Sequence, residues 1–332
     1  MPSLHPRHAR RHARPLRSAG VAVAAVGLLA SGCSIGGDKS AKSGSLANNA
    51  SLSGASFTVG SKEFTEQQIL CQITLQALQS AGAKTTPKCG LSGSNTVREA
   101  LTSGKIDMYW EYTGTAWIGF LKHTTPIPDA TGQYDAVVKE DLAKNQIVWL
   151  DPAPFNNTYA IVVKTSVAQE LGVKTLSDYA KLVASNPSKA TMCVASEFAA
   201  RSDGFPGLQK AYGFKVQSGN LATIAEGAIY DAVSKGKPCA FGEASTTDGR
   251  IQSLGLTVLD DDKKFFPVYN PAMTVRKPVA DANPNLAKVL NPIAKALDTT
   301  TMQQLNADVD VKGDQPEVVA RGWLQSKGFI GK

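Results

Sequence analysis

Histidine, the side chain that most often transfers protons near neutral pH, is scarce in this chain of 332 residues. Three of the four histidines, His5, His8 and His12, lie in a basic N-terminal segment, and only His123 follows it. A histidine-centred hydrolase triad and a multi-histidine metal site are therefore poorly supported. His123 lies in a polar segment and is expected to be a solvated loop residue, so neither a metal nor a cofactor is expected.

The five cysteines fall into two groups. Cys33 directly follows an apolar run, whereas Cys71, Cys89, Cys193 and Cys239 are spread over the rest of the chain. None of these four forms a close pair with the spacing of zinc ligands, and an even number in an exported chain predicts disulfides. Four cysteines allow three connectivities, and four free buried thiols are the alternative.

The N-terminal segment, residues 1–32, predicts export. A basic region spans His5 to Arg17, and an apolar run from Val21 to Ala30 is too short to cross a bilayer as a mature helix. This pattern is typical of a signal peptide. It ends in Ala30-Ser31-Gly32-Cys33, which resembles a bacterial lipobox, in which the cysteine is lipidated and becomes the mature N-terminus. An ordinary secretory signal is the alternative, and Arg10-Arg11 leaves the export route open.

Removal of the signal changes the charge of the protein. Residues 1–32 carry five arginines and no acidic residue, so the formal net charge falls by five, from +7 to +2. The high isoelectric point therefore belongs to the signal, and no basic stripe indicates a nucleic-acid partner. About 300 residues remain, enough for two domains with their own cores.

The pattern of helices and strands predicts an α/β fold with mostly parallel sheets. Residues 33–55 are rich in serine, glycine and asparagine and predict a flexible tether. The first strand is expected around Phe57, and the first helix at Thr65 and Gln68, which have capping-box spacing. Further strands are predicted at 106–109, 148–150, 159–163, 191–195, 239–242 and 272–275, with helices over most of 285–326.

Seven short motifs run in order along nearly the whole mature chain. They are GSKEFTEQ at 60–67, NTVREAL at 95–101, IDMYWEYTGT at 106–115, NNTYA at 156–160, SEFAARSDG at 196–204, TDGR at 247–250 and FFPVY at 265–269. Each motif alone is weak. Together they resemble the glycine betaine/choline-binding proteins of osmoprotectant ABC importers.

The resemblance implies a type II periplasmic-binding-protein fold, in which two α/β lobes joined by two crossover segments enclose a ligand cleft. Lobe one would comprise residues 56–160 and 268–332, and lobe two would comprise residues 161–267. The disulfides Cys71–Cys89 and Cys193–Cys239 are then favoured, because each pair lies within one lobe and leaves the crossovers free.

The resemblance also implies an aromatic cage for a quaternary ammonium group. A trimethylammonium cannot donate hydrogen bonds, whereas aromatic faces offer negative quadrupole density together with apolar contact. Tyr112, Tyr159 and Tyr269 match the family's cage positions, and the crossovers would place the last two at the cleft. Asn157 is expected to contribute a backbone carbonyl near the methyl groups.

A betaine carries a carboxylate as well, and that end needs hydrogen-bond donors. Lys62 and Thr115 match the family's carboxylate-binding positions in lobe one, and Arg201 matches one in lobe two. The planar guanidinium of arginine can meet both carboxylate oxygens. Contacts from both lobes would favour the closed cleft, the state that an importer would recognise.

The chain departs from the family pattern at Ser245. The family usually places a further cage aromatic at this position, so the cage is expected to be incomplete on the lobe-two side. Phe241 or Trp110 could compensate. The vacancy puts the affinity and the identity of the ligand in question.

The expected function is that of a monomeric, extracytoplasmic binding lipoprotein, held to the membrane through Cys33, that delivers its ligand to the permease subunits of an ABC importer. One alternative is a preference for choline or carnitine over glycine betaine. Another is an exported enzyme on the same fold, since Glu111, Asp203 and Asp248 could do acid–base work, although no nucleophile–base pair accompanies them. The third is a sensory lipoprotein that serves a receptor.

Overall fold

The computed structural model describes residues 41–332. The expected signal peptide over 1–32 and the lipidation of Cys33 concern residues outside this range. Within residues 41–332, every helix is too short or too polar to cross a membrane.

The described chain contains ten strands and fourteen α-helices. The strands are β1 Ser56–Lys62, β2 Lys84–Leu91, β3 Met108–Tyr112, β4 Ile147–Pro152, β5 Tyr159–Lys164, β6 Met192–Val194, β7 Leu221–Thr223, β8 Phe241–Ser245, β9 Leu256–Val258 and β10 Pro271–Arg276. The helices are α1 Ser45–Asn49, α2 Thr65–Ser80, α3 Ser94–Thr102, α4 Ala130–Asn145, α5 Thr165–Leu171, α6 Leu176–Ser185, α7 Ser196–Ala200, α8 Phe205–Tyr212, α9 Glu226–Lys235, α10 Arg250–Ser253, α11 Lys277–Ala282, α12 Leu286–Ala296, α13 Thr299–Asp310 and α14 Pro316–Ser326.

The strands form two five-stranded sheets, in the orders β2-β1-β3-β10-β4 and β7-β6-β8-β5-β9. In the first sheet, β10 is antiparallel to both of its neighbours. In the second sheet, β5 is antiparallel to both of its neighbours. The other four strands of each sheet therefore run in one direction, which confirms the expected α/β class with mostly parallel sheets. Each antiparallel strand is the first one that the chain forms after it crosses between the sheets.

Both faces of each sheet are covered by apolar side chains. Successive residues of a strand point to opposite faces, so in β3 Tyr109 contributes to one hydrophobic cluster of the first sheet and Trp110 to the other. In β5, Ile161 and Val163 contribute to one cluster of the second sheet, and Val162 to the other. Such two-sided burial explains why these strands appear in the sequence as continuous apolar runs.

The tether expected over residues 33–55 is wrong for residues 41–55. Ser43 forms a β-bridge with Ile330, and α1 buries Leu46 completely. Leu52 is 4% exposed, and its N–H donates to the carbonyl of Ala81. Two leucines in a polar segment are enough to fix it against the first sheet's helices, a contact that composition does not reveal. Residues 33–40 lie outside the described range.

Both expected disulfides are present. Cys71–Cys89 joins α2 to β2, and Cys193–Cys239 joins β6 to the segment before β8. Each disulfide joins elements that belong to one sheet and its covering helices, so neither disulfide links the two sheets.

His123 is not the solvated loop residue that was expected. Its ring stacks on Trp117 with ring centroids 3.5 Å apart, and its Nε2 lies 2.8 Å from Glu140 Oε2. The residue is half-buried. The aromatic and acidic partners come from a preceding turn and from α4, which the local sequence around His123 does not predict.

The chain crosses between the sheets in residues 153–158 and returns in residues 259–270. Tyr159, placed with lobe one from the sequence, is the first residue of β5 and pairs with Ser245 of β8. It therefore belongs to the second sheet, directly beside the first crossover.

Candidate functional site

A cleft of about 730 Å³ lies between the two sheets. The ends of β1, β3, β6 and β8 and the first turns of α2 and α9 line it, which is the usual place for a ligand in open α/β sheets. Six of the seven ligand-binding residues expected from the sequence lie along it: Lys62, Tyr112, Thr115, Asn157, Tyr159 and Tyr269. Arg201 does not.

The two crossovers hold Tyr269 in place beside Tyr159. The Tyr269 N–H donates to Asn156 Oδ1 at 2.7 Å, and the Asn157 N–H donates to the Tyr269 carbonyl at 3.1 Å. The Tyr159 and Tyr269 rings meet edge to face with centroids 5.4 Å apart. At Gly114 a Cβ would come within 2.7 Å of the Tyr269 ring, so glycine lets this ring lie directly on the backbone.

Tyr112 is the last residue of β3 and stands on the opposite side of the cleft floor. Its ring is stacked with Phe64, with centroids 6.2 Å apart, and Lys62 Nζ lies 5.0 Å from its centre. Phe64 also lines the cleft. The sequence quoted Phe64 only as part of a motif, so this aromatic was missed as a candidate contact.

Glu66 is the centre of a hydrogen-bond network beneath the cleft and was also missed. Its Oε1 accepts from the Tyr112 hydroxyl at 2.7 Å and from Asn157 Nδ2 at 2.8 Å. Its Oε2 accepts from the Thr247 hydroxyl at 2.6 Å and from Asn306 Nδ2 at 3.2 Å. Burial raises the pKa of Glu66, and the four donors act in the opposite direction. Four donors fill the acceptor capacity of a carboxylate, so Glu66 fixes the residues around it.

Lys62 lines the cleft but already has an anionic partner. Its Nζ donates to Glu111 Oε1 at 2.7 Å, and the other oxygen of Glu111 accepts from the Tyr109 hydroxyl at 2.7 Å. Lys62 is 3% exposed and Glu111 is fully buried. A ligand carboxylate at this point would share the ammonium group with Glu111.

Arg201 lies behind Tyr269, bonded to two acids. Its Nε and Nη2 donate to the two oxygens of Asp203 at 2.8 and 2.5 Å, and its Nη1 donates to Glu197 Oε1 at 3.0 Å. Asp203 in turn accepts from the Tyr269 hydroxyl at 2.8 Å. In this structure Arg201 therefore positions Tyr269 through Asp203, and its guanidinium does not reach the cleft.

The second half of the cleft contributes two carboxyl groups, those of Glu226 and Glu243, that are bonded to no lysine or arginine within residues 41–332. Glu243 of β8 is 3% exposed, and its Oε2 accepts from the Ala195 N–H at 2.7 Å. Burial and the nearby Glu226 raise the pKa of Glu243 well above its ordinary value. Glu226, half-buried at the start of α9, has a pKa raised to about 7 by burial and by the neighbouring Asp248 and Glu197.

More acidic than basic side chains line the cleft. Seven carboxylates line it, against the two cations Lys62 and Arg250. Both cations are already paired, since Arg250 donates through Nε and Nη2 to Asp248 at 2.9 and 2.6 Å. An acid-lined cleft with low-dielectric walls attracts cationic ligands.

The two halves of the cleft are bonded to each other at one rim. The Ser94 N–H donates to Glu197 Oε2 at 3.0 Å, and the Ser94 hydroxyl donates to Glu197 Oε1 at 2.6 Å. Burial alone would raise the pKa of Glu197, but Lys62 and the bonds from Ser94 hold it below its ordinary value. This carboxylate of the second half is therefore suited to accept from the first turn of α3 when the lobes meet.

Ser245 lines the cleft, and neither suggested substitute replaces the missing aromatic. Phe241 is fully buried and packs against Tyr179, with ring centroids 4.7 Å apart. Trp110 is 1% exposed and donates through Nε1 to Thr74. Both belong to the hydrophobic core.

The acids that could have served an enzyme are all paired with cations. Glu111 bonds to Lys62, Asp203 to Arg201 and Asp248 to Arg250. A carboxylate held in this way is a poor general base, because the cation stabilises its ionised form. Across residues 41–332, the histidines, cysteines and acids form no cluster suited to a metal ion.

Comparison with known proteins identifies the family. Residues 55–326 match the model of the substrate-binding domain of the ABC-type glycine betaine transport system. A glycine-betaine-binding protein of Pseudomonas aeruginosa is 39% identical over 82% of this chain and 88% of its own length. The glycine betaine-binding protein YehZ of Escherichia coli is 36% identical over 82% of this chain and 90% of its own.

Solved structures agree with this assignment. The apo structure of YehZ from Escherichia coli has a TM-score of 0.61 and 35% identity, and covers 82% of this chain and 99% of that one. A glycine betaine/carnitine/choline ABC transporter structure has a TM-score of 0.67 and 29% identity over 82% of this chain and 99% of that one. The fold is thus that of the type II periplasmic binding proteins, and members of this family are extracytoplasmic transport proteins, not enzymes. The chain belongs to the family of substrate-binding domains of ABC-type glycine betaine transport systems.

Proposed function

We propose that this protein captures glycine betaine, or a related quaternary-ammonium osmoprotectant, outside the cell and delivers it to the permease subunits of an ABC importer. One observation carries the proposal. Tyr112, Tyr159 and Tyr269, which come from the first sheet, the second sheet and the return crossover, line the same cleft.

The quaternary ammonium sits against these three rings. Burial raises the pKa of each phenol well above its ordinary value, so all three are neutral and present uncharged aromatic faces. Each desolvated cation–π contact contributes about 0.5–2 kcal/mol. Asn157 also lines the cleft and contributes its backbone carbonyl near the polarised methyl groups.

The carboxylate of the ligand contacts Lys62 and Thr115. Thr115 is 4% exposed at the start of a π-helical turn, Thr115–Phe120, and lines the cleft beside Lys62. Arg201 takes part through Asp203 and Tyr269, and reaches the ligand only if its bonds to Asp203 open.

Transport uses the two lobes as bodies that close on the ligand. Lobe one comprises residues 56–158 and 268–332 and lobe two residues 159–267, because β5 begins at Tyr159 in the second sheet. The bonds from Ser94 to Glu197 stabilise the closed state. The protein acts as a monomer held to the membrane by a lipid on Cys33 after removal of residues 1–32. Metabolic labelling with a fatty acid, in the wild type and in Cys33→Ser, tests the anchor.

The direct test of the ligand class is calorimetric titration of purified mature protein with glycine betaine, proline betaine, carnitine and choline. We expect saturable binding of at least one of them with no change in the ligand itself. Neither heat nor a thermal shift with any of the four at millimolar concentration would refute the proposal.

Choline preference is a second candidate, favoured by the excess of carboxylates in the cleft and by the prior pairing of Lys62 and Arg201. Thr115→Val separates the two ligands because it removes a hydroxyl while keeping the shape of the side chain. If the ligand is a betaine, its binding weakens by about 0.5–1.5 kcal/mol while choline binding stays unchanged. If the wild-type protein binds choline more tightly than any betaine, choline is the ligand and the glycine betaine assignment is wrong.

A further inference from the structure

The second wall of the cleft, formed by Glu226, Glu243 and Ser245, has a different chemistry from the tyrosine side. All three residues line the cleft. Glu243 and Ser245 lie two residues apart on β8 and therefore point to the same face. Glu226 opens α9, which packs on the other face of β8, where Ile229 would lie within 2.4 Å of a Cβ at Gly242. Glu226 and Glu243 come near each other at the end of β8, where both line the cleft and Glu226 contributes to the raised pKa of Glu243.

Glu243 gives the stronger indication of a ligand-binding role. It is 97% buried, yet only its Oε2 is bonded, to the Ala195 N–H. No donor within residues 41–332 reaches its Oε1, although the residue lines the cleft. A glutamine could accept the Ala195 N–H equally well. An ionisable group kept under-bonded at a ligand cleft is costly for folding and is typical of a binding site.

Within residues 41–332, neither Glu226 nor Glu243 is bonded to a lysine or an arginine. Glu63, Glu197 and Asp248 face Glu226 with like charge, and Arg250 is the nearby cation. The guanidinium of Arg250 is occupied by Asp248, by the Gly227 carbonyl at 3.0 Å and by Asp310 at 3.4 Å, and it stacks on Tyr230. Glu226 and Glu243 therefore have no positive partner within residues 41–332, and a ligand in the cleft can supply one.

The size of the cleft agrees with a ligand that reaches both walls. Even if each of the roughly eight non-hydrogen atoms of glycine betaine took a water molecule's share of about 30 Å³, it would fill only about a third of the space. The tyrosine wall alone accommodates a ligand of that size. The remaining volume leaves room for a longer ligand that reaches Glu226, Glu243 and Ser245, which line the same cleft.

We propose that the native ligand carries, besides its quaternary ammonium, a second nitrogen group with N–H donors, and that Glu226 and Glu243 accept hydrogen bonds from it. The ligand class is a betaine or choline-like molecule extended by an amine or by an N–H-bearing ring. Ser245 leaves the room that this second group occupies. The inference rests on the proposed function, because the tyrosines hold the other end.

The test compares two ligands that differ in the N–H group. Histidine betaine has a five-membered ring with an N–H, and thienylalanine betaine has a five-membered ring without one. In calorimetric titrations of the mature protein at pH 7.5, we expect histidine betaine to bind at least about ten-fold more tightly. Glu226→Gln and Glu243→Gln should each reduce this ratio to about two or less. Asp231→Asn, an exposed acid farther along α9, is the matched control and should keep the ratio.

The outcomes distinguish this inference from the proposed function. If glycine betaine binds but the two ring betaines bind equally, the second wall has no such role, while the proposed function stands. A ratio that survives both glutamine variants overturns the inference as well. If neither these three betaines nor proline betaine, carnitine or choline binds, both proposals are wrong. Glu226 lies half-exposed at a helix start, so Glu226→Gln remains informative even if Glu243→Gln fails to fold, which a thermal melt reveals.

Discussion

The two walls of the cleft differ in how completely their polar groups are paired. On the first wall, formed by Lys62, Phe64, Glu66 and Tyr112, both oxygens of Glu66 have two donors and Lys62 has Glu111. On the second wall, Glu243 has a single backbone donor. The first wall therefore has its polar groups paired before a ligand arrives, and it offers the ligand aromatic faces in a fixed arrangement. The second wall is incomplete without a donor from the ligand.

This difference has a mechanical consequence. Glu66 reaches Thr247 in the second half of the cleft and Asn306 in α13, so the first wall also joins the lobes. Pre-organised groups lose little entropy when a ligand arrives. The affinity should then come mostly from the first wall, and the selectivity among quaternary-ammonium ligands mostly from the second.

Removal of Glu66 should have the largest effect, because it breaks the first wall. Glu66→Ala leaves the buried donors of Tyr112, Asn157 and Thr247 without an acceptor, whereas Asn306 keeps its bond to the Thr247 carbonyl. We expect the free energy of unfolding to fall by about 3–5 kcal/mol. Ligand affinity should fall more than about ten-fold, since Tyr112 and Asn157 lose their common partner. Chemical denaturation and calorimetry measure the two effects.

The matched control for this variant is Glu63→Ala. Glu63 is exposed three residues away and accepts only from Ser92 and the Gly93 N–H. Its loss should cost less than about 1 kcal/mol. Equal losses in the two variants would show that Glu66 does not organise the first wall.

The second largest effect concerns the Tyr112 ring. Tyr112→Leu should weaken glycine betaine binding by about 1–2 kcal/mol, because a cation–π face is replaced by an aliphatic group. Tyr112→Phe keeps the face and loses only the bond to Glu66, so its effect on affinity should be smaller. Calorimetric titration of both variants decides the matter. A phenylalanine variant as weak as the leucine variant would assign the role to the hydroxyl instead of the ring.

Motifs and alternation of apolar residues predicted most of the fold, and the exceptions have physical reasons. Strand β2 was missed because its residues are mainly polar or charged and include Pro87, which an edge strand tolerates since it needs no donor on its outer side. The capping-box spacing of Thr65 and Gln68 predicted the correct start of α2, but these residues form no capping box. The Thr65 hydroxyl donates to Asp310 at 2.6 Å, and no side chain caps α2.

The candidate site was predictable where the family motifs name its residues and not elsewhere. All three tyrosines line the cleft, and their role as an aromatic cage stays a prediction. The pairing of Arg201 with Asp203 was not foreseen, although both stand in one motif, because spacing does not show which way a side chain points. Asn306 comes from a helix more than two hundred residues from Glu66, and no local signal connects them.

The third prediction uses pH to test the second wall without a ligand. Burial raises the pKa of Glu226 from 4.5 to about 7, so between these values the folded protein holds a proton that the unfolded chain has lost. Stability should therefore fall as the pH rises from about 4.5 to 7, and this cost is complete above pH 7. We expect Glu226→Gln to be more stable than the wild type at pH 8, by about 1 kcal/mol after allowance for solvent in the cleft.

The gain of Glu226→Gln should be small near pH 4.5, where Glu226 is protonated in the folded protein and about half protonated in the unfolded chain. Thermal melts of the ligand-free protein at pH 4.5, 6 and 8 measure it, with Asp231→Asn as the control. A gain that is the same at every pH would show that the carboxylate of Glu226 is not the cause.

The smallest effect is expected at Ser245, where the two walls can be made alike. Ser245→Phe restores an aromatic face on the second wall, and because this side of the cleft is open to water, the gain for glycine betaine should be about 0.5–1 kcal/mol. That corresponds to binding about two- to five-fold tighter. The same ring would occupy the space beside Glu243, so histidine betaine should bind more weakly to this variant than to the wild type. Ser245→Ala removes the hydroxyl without adding a ring and should change neither ligand by more than about two-fold. Calorimetric titration of both variants with both ligands gives four changes in affinity relative to the wild type, and the sign of each change tests the difference between the two walls.

Weaker binding of glycine betaine to Ser245→Phe, with no change in Ser245→Ala, would mean that even this small ligand needs the open side of the cleft. The division of the cleft into two walls would then be wrong.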